Sequence, residues 1–333
     1  MIHRIRTIDS HAAGEPLRLV VEGVPAPEGK TMLDKRAWAH KHLDHLRQSI
    51  MLEPRGHADM YGALLTEPVT PGAHAGVLFM HNEGWSTMCG HGVIAVTTIV
   101  IERDLIWPGG PTLLLDSPAG PIEATATLMT AGSQRRVSSV SFRNVPSFVF
   151  EAGLPIKVGG RTLLVDVAFG GAFYAIVDAE SAGLAVDAAN LHQLRRVGSE
   201  VKAEVERLRQ IVHPEDDGLK GIYGVIFTAP AQHPDAHLRN VTIFADAEVD
   251  RSPCGTGTAA VMAVLSEMGV LAEDSTFVHE SIVGTLFRGR ISGRSQVGDK
   301  PAIIPEIQGS AWITGEHTFL IDGDDPLKAG FRL

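Results

Sequence analysis

The sequence predicts an α+β chain built as two pseudo-symmetric halves, each with a strand, a glycine-rich turn and a buried helix. Three observations predict it. Two cysteine-centred segments repeat one another, each follows a run of strand-forming residues and leads into a helical run, and 333 residues suit two domains better than one.

The repeat reads Cys89-Gly-His-Gly-Val-Ile-Ala-Val96 in the first copy and Cys254-Gly-Thr-Gly-Thr-Ala-Ala-Val261 in the second, identical at five of eight positions with an offset of 165. Upstream, the same offset aligns Leu78-Phe79 with Ile243-Phe244 and Glu83 with Glu248; downstream it aligns Leu105-Ile106 with Val270-Leu271. An offset close to half the chain is the signature of duplication.

The elements follow in order. Gly76–Met80 and Leu238–Phe244 are short runs rich in strand formers. Each Cys-Gly-X-Gly is a turn, because glycine admits backbone angles that other residues avoid. Thr258 to Met268 is rich in Ala, Met and Leu and stops at Gly269, which predicts a helix. Val93 to Ile101 is β-branched enough to suggest a strand, but its duplicate argues for a helix. Glu200 to Ile211 has amphipathic helical spacing, and His213-Pro-Glu-Asp-Asp-Gly218 reads as the loop that ends it. Pro118-Ala-Gly-Pro121 marks a domain boundary, so residues 1–120 form the first domain and 121–301 the second.

Composition narrows the function. Hydrophobic residues make up 44% and charged residues 20%, as in ordinary globular proteins. A net charge of −10 with no basic block points away from nucleic acid and anionic membranes. No apolar run approaches the roughly 18–20 residues of a membrane span, and the N-terminus lacks a secretion signal, so a cytoplasmic enzyme is expected. Two cysteines are too few for a disulfide scaffold. Fifteen histidines occur without H-E-x-x-H or Cys/His ligand spacing, so no metal is expected. The cysteine turns lack the third glycine of a dinucleotide fingerprint.

Chemistry follows from placing a thiol and two glycines at a helix N-terminus. The N–H groups and the positive dipole end favour an anion and lower a thiol pKa from about 8.5 toward 7. Pseudo-two-fold pairing would place one thiol on each side of a small carboxylate. One thiolate then removes the α-proton, the opposite thiol supplies a proton, and the N–H groups stabilise the enolate. An acidic residue for the substrate nitrogen belongs on one side only, and Asp250 meets that need because the offset puts Trp85 at its partner position. A binding module for small amino acids could use the same cradle but has no use for two thiols.

At these residues the chain resembles the proline racemase superfamily. The likeness spans nearly the whole chain and rests on Asp9-Ser-His-Ala-Ala-Gly-Glu-Pro16, Glu53-Pro-Arg-Gly-His-Ala-Asp-Met60, Met88-Cys-Gly-His-Gly92 and Asp250-Arg-Ser-Pro-Cys-Gly-Thr-Gly257. It implies a diaminopimelate-epimerase-like fold, in which a mainly antiparallel sheet wraps a central helix in each domain. Residues from about 302 to 333 then return to the first domain. It also implies no cofactor, a small imino-acid substrate, Cys89 and Cys254 as acid/base pair, and Gly90, His91, Gly255 and Thr256 as carboxylate cradle. Asp250 becomes the residue at the imino nitrogen; a homodimer is left open.

Within the superfamily, His81–Cys89, Gly170–Ala175 and Asp324–Phe331 resemble the trans-3-hydroxy-L-proline dehydratase branch. Ala12 departs from the threonine common in the first motif. Cys254 stands where many dehydratases carry Thr and by itself favours an epimerase. The reading chosen is dehydration of trans-3-hydroxy-L-proline to Δ1-pyrroline-2-carboxylate with 4-hydroxyproline 2-epimerisation as a side activity. The alternative is a two-base 4-hydroxyproline 2-epimerase or proline racemase. Arg55 and Asp59 are expected to pair with each other, His57 to line the pocket or settle within its turn, Glu83 and Glu248 to serve as caps or hinges, and Trp312 to lie in the core.

Overall fold

The computed structural model describes residues 2–131 and 134–332. Five helices occur among them: α1 (Met32–His42), α2 (Asp44–Met51), α3 (Gly90–Glu102), α4 (Leu191–Leu208) and α5 (Gly255–Glu267). The remainder is mostly strand, so the α+β expectation holds. None of these helices is long and apolar enough to cross a membrane.

The chain divides into two compact units, residues 1–142 with 309–333, and 143–308. The sequence had suggested a boundary at 120/121 and a return near 302. Pro118–Pro121 instead sits in the tight connection between strands Thr112–Ser117 and Gly120–Ala131, where Ser117 pairs with Gly120. Proline and glycine mark a turn equally well inside a domain and between domains.

In the first unit the strands run Ala311–Asp322, Ile2–Ala12, Glu15–Glu22, Tyr61–Thr66, Ala75–His81, Thr112–Ser117, Gly120–Ala131 and Gln134–Arg143. In the second they run Phe148–Val158, Arg161–Phe169, Phe173–Asp178, Ile222–Ala229, Leu238–Phe244, Phe277–Glu280, Leu286–Val297 and Lys300–Gly309. Both series show the same directions: antiparallel, antiparallel, parallel, antiparallel, parallel, antiparallel, antiparallel. A short strand, Trp85–Ser86 or Glu248–Asp250, folds back on the fifth in each. The duplication is thus a property of the topology as well as of the cysteine segments.

Each sheet wraps one helix. α3 packs against Ile2–Ala12, Glu15–Glu22, Gly120–Ala131 and Ala311–Asp322, and α5 against Phe148–Val158, Arg161–Phe169, Phe173–Asp178 and Leu286–Val297. Every residue of α3 from Gly90 to Ile101 is buried, as is α5 from Gly255 to Val264. A helix enclosed on all sides has no polar face to keep, so the β-branched run Val93–Ile101 is tolerated as helix. Tertiary burial outweighs its strand propensity, as the duplicate had indicated. Gly170 permits the close approach on α5: a Cβ there would stand 2.2 Å from the Thr256 carbonyl oxygen and 2.6 Å from the Ala260 nitrogen.

A pair of anchors recurs behind each helix. Asp116 accepts the N–H groups of Val69 and Thr70 at 2.7 Å, and Glu280 accepts those of Gln232 and His233 at 2.7 and 3.0 Å. His74 accepts the N–H of Leu114 and His237 that of Val278, both at 2.9 Å. Each pins the loop leading into the central strand. The offset of 165 describes the helices, which begin at Gly90 and Gly255, but strands Ala75–His81 and Leu238–Phe244 differ by 163. Two extra residues therefore lie between strand and helix in the second copy.

α4 begins earlier than its amphipathic spacing suggested, after a short turn capped by Asp187, and buries Leu194, Val197, Val201 and Val205. Residues 213–218 are not an open loop: Val212–His213 and Asp216–Lys220 pair as a small hairpin. α1 starts with a capping box, Thr31 and Asp34 each accepting the other's N–H at 3.0 Å.

Candidate active site

Both cysteines occupy N-cap positions. Cys89 Sγ accepts the Gly92 N–H and Cys254 Sγ the Gly257 N–H, each at 3.3 Å. The sulfur stands in for the oxygen of an ordinary cap. A Cβ on either donor would lie 2.9 Å from the thiol it serves, so only glycine leaves the sulfur in this position. Gly90 and His91, with Gly255 and Thr256, take the first two helical positions, where backbone N–H groups point out of the helix end.

Around Cys89, His91 places Nδ1 at 3.3 Å and Nε2 at 3.6 Å from the sulfur, which therefore sits off the ring between the two nitrogens. The His91 ring meets Tyr61 edge-on at 4.8 Å, and the Tyr61 hydroxyl donates to Ser86 at 2.8 Å. Asn82 fixes the preceding turn: its amide donates to the Met51 and His57 carbonyls, and its oxygen accepts the Met60 N–H.

Around Cys254 the groups differ. Tyr174 lies 3.7 Å and Thr256 Oγ1 3.8 Å from the sulfur, with 2.6 Å between the two hydroxyls. Ser252 donates its N–H and hydroxyl to Asp250 Oδ1 at 2.8 and 2.7 Å, and its Oγ accepts the Cys254 N–H at 3.1 Å. Burial raises the Asp250 carboxyl to about 6, against the pull of the Ser252 donors. Burial, with Asp250 adding repulsion, pushes the Cys254 thiol up to about 12. The expectation that a helix end depresses the thiol pKa fails at Cys254: the Gly257 donor lowers it, but desolvation is the larger effect. Tyr174, raised well above its ordinary value by burial, keeps its proton too.

The sequence-predicted site residues fall into two sets. Cys89, Gly90 and His91 lie together in the first unit; Asp250, Cys254, Gly255 and Thr256 lie together in the second. Asp250 opposes Thr242 in its hairpin as Ser86 opposes Phe79, so its counterpart is Ser86 and not Trp85. Ser86 is no acid either, so the asymmetry survives. Glu83 pairs with Arg332 at the surface whereas Glu248 is buried, so the two do not share a role. Arg55 pairs with Asp325 at 3.0 Å rather than with Asp59. His57 bonds the adjacent Ala58 carbonyl at 2.7 Å. Trp312 is 49% exposed and stacks on His11, outside the core where it was expected. Sequence reasoning missed Tyr61, Tyr174 and Ser252. Only Ser252 had a local signal, the Asp-x-Ser-x-Cys spacing of a side-chain-capped turn.

The family profile described as "Proline racemase" matches residues 7–332. A Bacillus cereus protein named trans-3-hydroxy-L-proline dehydratase is 50% identical over 329 residues, 98% of this chain and 97% of its own length. A Burkholderia multivorans protein named 3-hydroxyproline 2-epimerase is 42% identical over 330 residues, covering 98% and 97%. Among solved structures, a hydroxyproline epimerase from Agrobacterium vitis with bound trans-4-hydroxy-L-proline superposes with a TM-score of 0.90 at 32% identity, covering 99% of this chain and 95% of its own. With this match over almost its full length, and with paired cysteine-capped helices, the chain belongs to the proline racemase family.

Proposed function

We propose that the protein dehydrates trans-3-hydroxy-L-proline to Δ1-pyrroline-2-carboxylate, with Cys89 as base and Cys254 as acid. The observation that carries this reading is the 50% identity to the Bacillus cereus dehydratase across 98% of the chain. In the proposed step Cys89 takes the α-proton, and the C–H electron pair forms the Cα=C3 bond as the C3–O bond breaks. The Cys254 proton leaves with the hydroxyl as water. The enamine then tautomerises, moving a proton from ring nitrogen to C3. One water is lost and nothing is oxidised.

The first-turn N–H groups of α3 and α5, at Gly90, His91, Gly255 and Thr256, serve as the carboxylate cradle, and ionised Asp250 holds the imino nitrogen. Burial keeps the Cys254 thiol protonated at neutral pH, which is the state a proton donor must start from. The same residue supports a second reading. A protonated thiol can return hydrogen to the opposite face of the α-carbon, and the Burkholderia multivorans relative carries an epimerase name.

Proton NMR in D₂O with trans-3-hydroxy-L-proline, trans-4-hydroxy-L-proline and L-proline tests both. Imine from the 3-hydroxy compound is the expected result. Inversion with α-deuteration and no imine establishes the epimerase instead. The variant Cys89→Ser should retain binding and lose turnover; full turnover would exclude Cys89 as base.

A further inference from the structure

We propose that His279 is a positioning residue for the reaction: acting through Thr258, and together with Asn240, it clamps the Pro253 carbonyl and so holds the following Cys254 in its left-handed backbone conformation. The inference rests on the reading of Cys254 as proton donor.

Cys254 has φ +64° and ψ +113°, whereas Cys89, at the same place in the duplicate, has φ −148° and ψ +110°. A side-chain-bearing residue rarely adopts positive φ, and surroundings must over-determine it. The peptide entering Cys254 is held by side chains from two strands and from the first turn of α5 itself. The Pro253 carbonyl accepts from the Asn240 amide at 2.9 Å and from the Thr258 hydroxyl at 3.1 Å. Thr258 also lies 2.9 Å from His279 Nδ1. All three side chains are fully buried.

The proton directions follow from what each group has. Thr258 carries one hydroxyl hydrogen; given to Pro253, its oxygen must accept from His279, which puts the ring proton on Nδ1. His279 Nε2 has no hydrogen-bond partner among the described residues. A bare acceptor lone pair costs less to bury than an orphaned N–H, so this tautomer is the favoured one. Burial lowers the His279 pKa to about 3, which keeps the ring neutral at working pH.

The duplication supplies an internal control. Parallel pairing puts Leu115 opposite Ala75 where His279 stands opposite Leu238, so Leu115 is the counterpart of His279. By strand and helix register, Val77 answers Asn240 and Val93 answers Thr258. The trio His279, Asn240, Thr258 is thus replaced by Leu115, Val77, Val93, all fully buried, in the half whose cysteine has ordinary angles. The polar trio accompanies the unusual backbone and is absent where the backbone is relaxed.

The test uses the full-length enzyme and three variants: His279→Leu and Thr258→Val, which copy the other half, and His279→Asn, whose amide nitrogen can replace Nδ1. Turnover is read by NMR and folding by thermal melt. In a Cys89→Ser background, which leaves one thiol in the chain, the alkylation rate of Cys254 is read independently of activity. The expected result is a kcat reduced about 10- to 100-fold with KM little changed in His279→Leu and Thr258→Val, near-recovery in His279→Asn, and an altered Cys254 alkylation rate in the first two only. Combining Leu and Val should add no further loss. Wild-type kcat in Thr258→Val overturns the proposal, and this variant decides alone if His279→Leu does not fold. Equal impairment of Asn and Leu also overturns it. Failure of the functional reading is separate: wild-type protein would then turn over none of the three imino acids, while the alkylation rates still test the clamp.

Discussion

Replacing Gly257 with alanine adds a single methyl group beside the Cys254 sulfur. The new Cβ would stand 2.9 Å from Sγ and 3.0 Å from Ile226 Cδ1. Ordinary contact is about 3.5–4.0 Å, so the sulfur must retreat by roughly 0.6–1.1 Å. Sγ and Cδ1 end rotatable side chains, while Cys254 Cβ, 3.1 Å away, can give only by a few tenths of an ångström of backbone adjustment. Overpacking costs about 1–3 kcal/mol, offset by about 1 kcal/mol because alanine suits a helix better than glycine. The melt should fall by no more than a few degrees. Catalysis should suffer far more, since an error of about 1 Å in a reacting group can cost about 100-fold; kcat is expected to drop 10- to 100-fold. Initial rates by proton NMR at saturating and limiting substrate, with melts on the same samples, provide the assay. Wild-type kcat in a protein with an unchanged melt would refute the placement of Cys254 as a reacting group. Gly92→Ala is the contrasting case: its Cβ would meet the fully buried Phe79 ring at 2.5 Å as well as Cys89 Sγ at 2.9 Å. It should lose stability as well as activity.

Arg18→Met should destabilise by about 3–5 kcal/mol, because Arg18 pairs with buried Asp9 at 2.8 Å and donates to the Ile50 and Arg55 carbonyls; urea unfolding measures it. Asp116→Ala removes two charge-assisted bonds and should cost about 2–3 kcal/mol at pH 7. Burial alone would raise the Asp116 pKa, but the Thr70 and Val69 donors and Lys35 hold it below the ordinary value. Its stabilisation is therefore present above the unfolded carboxyl pKa and lost as pH falls through the lower folded one, so melts from pH 7 to 2 should show the gap to wild type closing in acid. Asp250, with its carboxyl near 6, should bind the imino cation only when ionised. KM is then expected to rise below pH 6, and Asp250→Asn should flatten that dependence while weakening binding; a pH-independent KM in wild type would remove Asp250 from the nitrogen site.

The duplication, the two helix N-termini and the placement beside them of the residues proposed for the site were legible in the sequence, because glycine-cysteine turns and repeated composition are local features. So was the helical state of Val93–Ile101, but only through its duplicate, since propensity by itself favoured a strand. Nothing local identified Tyr61 or Tyr174, which reach His91 and the Cys254 thiol respectively from other strands. The same applies to Trp312, whose apolar character suggested a core position that the fold does not give it.

Sequence by itself determined that this protein is a duplicated α+β chain with a thiol capping each central helix, because those properties depend on residue type and spacing. Only the tertiary structure decided that the two thiols are unlike. Burial and Asp250 keep Cys254 protonated, His91 attends Cys89, and a polar clamp from two other strands and α5 accompanies the positive φ of Cys254. Desolvation and long-range hydrogen bonding depend on which distant segments close around a group, and the local pattern Cys-Gly-X-Gly is the same in both halves.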